Sequence, residues 1–100
     1  MDSEKDLARF LKCLGEPTRL KLLGLLAGDE MSVGELADGL GRDQPLVSHH
    51  LRSLEECGIV LSRKEGQKVY YRITDPRLGA LLDSGRALVE DNSFCQRKKD

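Results

Sequence analysis

Apolar residues recur along this chain at two different spacings, and the change of spacing divides it into elements. Leu7, Phe10, Leu11 and Leu14 fall at i, i+3, i+4 and i+7, one stripe of a helix that Gly15 ends. Glu16-Pro17-Thr18-Arg19 opens a second helix, with Pro17 at a first-turn position where its missing N–H costs nothing. Leu20, Leu22, Leu23, Leu25 and Leu26 are apolar on more than one face, which places this helix deep in a core, and Gly28 is its terminator. Ser32 with Glu35 three residues on forms a capping-box pattern for a short third helix, whose inner face is Val33, Leu36, Ala37 and Leu40. A fourth helix begins at Asp43-Gln44-Pro45, with Asp43 as its cap, carries Val47, Leu51 and Leu54 inward, and ends at Cys57-Gly58.

The spacing then shifts from helical to alternating. Ile59, Leu61, Val69, Tyr71 and Ile73 alternate with polar neighbours around Lys64-Glu65-Gly66-Gln67, which predicts a β-hairpin turning at Gly66. Asp75-Pro76 starts a last helix with Leu78, Leu81, Leu82, Leu88 and Val89 at helical spacing. Gly79, Ala80, Gly85 and Ala87 on that helix permit close helix–helix approach. The predicted order is α-α-α-α-β-β-α: mainly α, with a β-hairpin, in one domain over residues 1–92, followed by a polar mobile tail over 93–100.

Composition narrows what such a domain does. A chain of 100 residues buries roughly 60–68% of its unfolded surface, which suits a small binding module and excludes a large self-sufficient enzyme. With 39% hydrophobic and 33% charged residues it reads as globular, and no apolar run approaches the roughly 20 residues needed to span a bilayer. The acidic start Met1-Asp2-Ser3-Glu4-Lys5-Asp6 is not a signal peptide, so a cytoplasmic protein without a membrane partner is expected. Cys13, Cys57 and Cys95 are too few and too far apart for a disulfide scaffold. No Ser, Cys or carboxylate is placed with a histidine and an orienting group, so no enzyme is expected.

The net charge of −1 hides a local asymmetry. From Ser62 to Arg72 the hairpin carries Arg63, Lys64, Lys68 and Arg72 against Glu65 alone, the positive patch that phosphate binding needs. On the fourth helix Gln44, Ser48 and His49 cluster away from the apolar stripe, and such side chains reach base edges or phosphates in a major groove. His50, beside Leu51 and Leu54, suits a partly buried hydrogen-bonding role. Two short helices joined by a Gly-containing turn and followed by a basic hairpin form a winged helix-turn-helix candidate.

With these pieces in order, the chain resembles the ArsR/SmtB family of winged-helix repressors. The resemblance runs from about Leu7 to Val89. It is carried by Leu14-Gly15-Glu16-Pro17-Thr18-Arg19, by Gln44-Pro45-Leu46-Val47-Ser48-His49-His50-Leu51, and by Gly58-Ile59-Val60 followed by Glu65-Gly66-Gln67 and Tyr70-Tyr71. It implies a homodimer through the first and last helices that binds double-stranded operator DNA of pseudopalindromic sequence. It implies DNA contacts at Gln44, Ser48 and His49, with Pro45, Leu46 and Arg52 beside them and Arg63, Lys64, Gln67 and Lys68 on the wing. Pro45 stands where many relatives carry a small polar residue, and Leu46 offers contact to a thymine methyl instead.

The inducer is less determined. The family's third-helix cysteine site would fall on Glu30 to Leu36, where Ser32 and Gly34 stand instead, and its last-helix zinc site lacks histidines beyond Asp75-Pro76-Arg77. The cadmium- and lead-sensing branch is similar in placing thiolates at positions matching Cys57 and Cys95, with Ser53 where another cysteine would stand, and Cys13 is a candidate third ligand. Three thiolates suit As(III), Cd(II) or Pb(II). A reversible disulfide involving Cys95 would make a redox-responsive repressor, cysteines that only fill space would leave neither response, and a winged helix used for protein contact is the alternative outside DNA binding.

Overall fold

The computed structural model describes residues 2–92, with eight elements in chain order: α1 (Ser3–Leu14), α2 (Pro17–Leu26), β1 (Met31–Ser32), α3 (Val33–Leu40), α4 (Gln44–Glu56), β2 (Val60–Glu65), β3 (Lys68–Ile73) and α5 (Arg77–Asn92). The tail expected over 93–100 lies outside the described residues. The order is the predicted one with one addition, β1. Its two residues pair antiparallel with β3, Met31 opposite Tyr71 and Ser32 opposite Tyr70, so the hairpin becomes a three-stranded sheet in the order β1-β3-β2. Two residues are too few to show an alternation, and the strand exists only because β3 offers its free edge.

Local chemistry explains where the helices begin. Glu16 caps α2 by accepting the Arg19 backbone N–H at 2.9 Å, ahead of Pro17. Ser32 and Glu35 form a reciprocal capping box on α3, the Ser32 hydroxyl accepting from the Glu35 N–H and the Glu35 carboxylate from the Ser32 N–H. Asp43 occupies the cap position of α4 but makes no side-chain cap bond. Pro45, second in the helix, has no N–H and so removes one of the two donors such a cap uses. Asp75 accepts the Arg77 N–H at 2.9 Å where α5 starts.

Leu22, Leu23 and Leu26 of α2, Leu36 and Ala37 of α3, and Val47, Leu51 and Leu54 of α4 form the centre of the core, with Ile59, Val60, Tyr71 and Leu78 closing it from the sheet and α5. The hairpin pattern differs from the expected one on β2. Val60 is fully buried and Leu61 is exposed, because Gly58 turns the chain at φ +78° and Ile59 is spent before the strand begins. The hairpin turn does fall at Gly66, at φ +63°.

Removing core and cap should cost different amounts. Leu51→Ala is expected to lower unfolding free energy by about 2–5 kcal/mol and Ser32→Ala by about 1 kcal/mol, both read by urea denaturation. Equal costs for the two would contradict the core drawn here.

Candidate nucleic-acid interface

The inner stripe of α4 is buried, and that burial decides what its outer face presents. Val47, Leu51 and Leu54 sit in the core, His50 is 9% exposed, and Gln44, Pro45, His49 and Arg52 are exposed, with Leu46 and Ser48 half-buried. Gln44 and Ser48, one helical turn apart, share a groove of about 500 Å³ with Gln67 and Lys68 of the wing and with Glu35 and Asp38 of α3. The side-chain amide of Gln44 lies over Gly34, where a built Cβ would stand 3.6 Å from Nε2. Lys64, Gln67 and Lys68 are exposed along the wing. Of the residues expected at DNA, Gln44 and Ser48 of α4 and Gln67 and Lys68 of the wing therefore line one groove.

Arg63 is placed differently from its neighbours. Its Nε and Nη2 donate to the two carboxylate oxygens of Glu30, both at 2.7 Å, and its Nη1 donates to Glu65 at 2.8 Å. The guanidinium carbon lies 4.8 Å from the centroid of the Tyr70 ring. The hydrogen bonds from Arg63 hold the Glu30 carboxyl below its ordinary range, and the bonds that Arg63 donates to Glu30 and then to Glu65 raise its own pKa.

Behind the interface a second polar cluster holds α4. Arg19 Nε donates to His50 Nδ1 at 3.1 Å, and Arg19 Nη1 donates to the Cys13 carbonyl oxygen at 3.2 Å and lies 3.8 Å from the Cys13 sulfur. Glu16 approaches His50 Nδ1 at 3.9 Å. Burial pushes the His50 imidazole below its ordinary value and the Arg19 charge adds to that, while Glu16 opposes it. Neutral His50 is thus the form that accepts from Arg19.

The cysteines give a correction. Cys13 and Cys57, expected to be too far apart in sequence for a disulfide scaffold, are joined by a disulfide across 44 positions of sequence, with Cα atoms 6.8 Å apart. Packing the end of α1 against the end of α4 brings them together, which sequence spacing does not record. Cys95 lies outside the described residues, and among the described residues no group of three or more His, Cys, Asp or Glu side chains could hold a metal ion.

Three partners escaped the reading of the sequence. Glu30 had no signal beyond its charge, the Arg19–His50 bond links residues 31 positions apart, and the cysteine pair required the fold. No described helix is long and apolar enough to cross a membrane.

Acidification should reveal His50. Its folded pKa lies below the unfolded value of about 6.5, so the unfolded chain takes up the proton first, and stability present above that value is lost as the pH falls through the folded pKa. The urea midpoint is expected to fall between about pH 7 and pH 5, and His50→Gln, which still accepts from Arg19, should flatten that fall. An unchanged profile in the variant would remove His50 as its source.

Known proteins resemble this arrangement in sequence and in shape. The profile of the family described as "Bacterial regulatory protein, arsR family" matches residues 16–62. A probable mercury resistance operon repressor of Streptomyces lividans is 42% identical, over 86% of this chain and 69% of its own length. Among solved structures, the homodimeric winged helix-turn-helix DNA-binding domain of a possible ArsR-family regulator from Mycobacterium bovis superposes with a TM-score of 0.78 at 33% identity, covering 88% of this chain and 84% of that one. The AntR antimony-specific transcriptional repressor superposes at 0.79 with 30% identity, covering 91% and 83%.

Proposed function

This chain belongs to the arsR family of bacterial regulatory proteins and is a DNA-binding transcriptional repressor; we propose that it works as a two-fold dimer on a pseudopalindromic operator and that the signal releasing it acts on cysteine sulfur. The observation that carries the DNA reading is the shared groove of Gln44, Ser48, Gln67 and Lys68, with His49 and Arg52 exposed on the same helix as Gln44 and Ser48. In this reading Gln44, Ser48 and His49 meet base edges, with Pro45 and Leu46 against the groove wall. Arg52, Lys64, Gln67 and Lys68 meet the backbone and set the register. The family is one of transcriptional regulators, and no enzymatic step is assigned to the chain.

Dimerisation is supported by large apolar side chains exposed on the protomer. Leu7 is 53% exposed and Leu88 58%, and Leu11, Leu81 and Val89 are exposed beside them on α1 and α5. Leu78, Leu82 and Phe10, counted in the same stripes from sequence, pack inward instead. The relative from Mycobacterium bovis is homodimeric, and a dimer places two α4 helices on successive major grooves.

Two sulfur chemistries suit the signal. A soft ion such as As(III), Cd(II) or Pb(II) would take thiolates from Cys13 and Cys57 with Cys95 as the third. The mercury and antimony repressors named above favour a soft ion by kinship. The bonded pair Cys13–Cys57 favours a thiol–disulfide response. In that case one thiolate attacks the oxygen of a hydroperoxide, giving a sulfenic acid and an alcohol or water. The other then displaces hydroxide, which leaves as water, and a dithiol reductant restores both thiols. Either event ties the end of α4 to α1, so a coupling of about 5–150-fold in DNA affinity is the size to expect.

Fluorescence-anisotropy titration of reduced protein onto DNA from upstream of its own gene tests this. Ser48→Ala with His49→Ala should abolish binding and leave the dimer intact, and unchanged affinity would sink the α4 assignment. Release by a soft ion that Cys57→Ser and Cys95→Ser block supports the ion, and release by peroxide that Cys13→Ser and Cys57→Ser block supports the disulfide. Binding indifferent to both means the cysteines are structural.

A further inference from the structure

Arg63 is bound to too much negative charge to serve as a phosphate contact, and its bonds point across the sheet. It stands on β2 directly opposite Tyr70 of β3, and Tyr70 stands directly opposite Ser32 of β1. Its guanidinium lies over the Tyr70 ring and ends in a two-bond fork on Glu30, the residue before β1. A third bond goes to Glu65 at the end of β2. One side chain thus spans all three strands, joining the wing to the strand whose Ser32 caps α3. The Arg63 guanidinium is spent on two carboxylates, and Arg72 also acts by its charge on Glu30, so Arg63 has no donor face left open to a phosphate. The wing's positive field is left to Lys64 and Lys68.

From this geometry we infer that Arg63 and Glu30 are positioning residues. They form a clip that holds the wing at a set angle to the helix-turn-helix before DNA arrives, so that Lys64 and Lys68 meet the backbone already ordered. The inference rests on the DNA-binding reading and goes beyond it, since it takes Arg63 out of the set of phosphate contacts expected from sequence. A pre-ordered wing raises affinity because binding need not first select one wing position from many.

The clip and the contact give opposite signs in one experiment, operator affinity measured against salt concentration. Arg63→Lys keeps the charge but cannot make the parallel pair of bonds to Glu30. Glu30→Gln keeps the shape and removes the carboxylate charge. As a clip, each substitution weakens binding about fivefold, the loss expected if the ordered wing falls to about one fifth of the population. The slope of log affinity against log salt stays at the wild-type value, because no phosphate contact is lost. The double variant is then no weaker than either single one, because both break the same bond. Lys68→Ala, a backbone contact in either case, lowers the slope by about one.

The inference is overturned if Glu30→Gln binds more tightly while Arg63→Lys matches wild type, or if Arg63→Ala lowers the slope by about one. Arg63 is then a phosphate ligand for which Glu30 competes. Loss of the repressor reading would look different, since wild type and Lys68→Ala would both fail to bind operator. Far-ultraviolet circular dichroism and the dimer mass confirm that these surface variants fold.

Discussion

Burial of one face of α4 is the constraint on which the rest of the molecule depends. Val47, Leu51 and Leu54 are fully enclosed by side chains of α2, α3 and the strands, and His50 is buried beside them. A helix anchored along that stripe has no freedom to roll, so the opposite residues Gln44, His49 and Arg52 are presented at a set angle. The wing depends on the same burial, because Val60 at the start of β2 is part of the core that α4 closes.

Around that apolar anchor the ends of the elements are held by directional bonds. Arg19 ties the middle of α4 to the α1–α2 corner through His50 and the Cys13 carbonyl. The Cys13–Cys57 bond ties the last turn of α4 to α1. Arg63 and Glu30 tie the wing to the strand that leads into α3. Each joins α4 or the wing to the scaffold behind it. Hydrophobic contact sets which faces meet, and hydrogen-bond forks and covalent bonds add fixed directions at the ends of the elements. The exposed leucines of α1 and α5 lie on the same scaffold, with α1 joined to the end of α4 by the cysteine pair.

The sequence by itself determined the helices, the hairpin and the likeness to a family. It could do so because those follow from periodicity, caps and turns that operate within a few residues. Ser32–Glu35, Pro17 and Gly66 act locally, and the α4 residues facing outward follow from those facing in. Tertiary structure alone decided the rest. β1 is a strand only because β3 lies beside it, and Leu61 is exposed because Gly58 shifts the start of β2 by one residue. Cys13 and Cys57 became a pair, and Arg63 became the partner of Glu30, through contacts across 44 and 33 positions of chain. A side chain's charge is written in the sequence, but whether it faces phosphate or a carboxylate depends on what folding brings within about 3 Å of it.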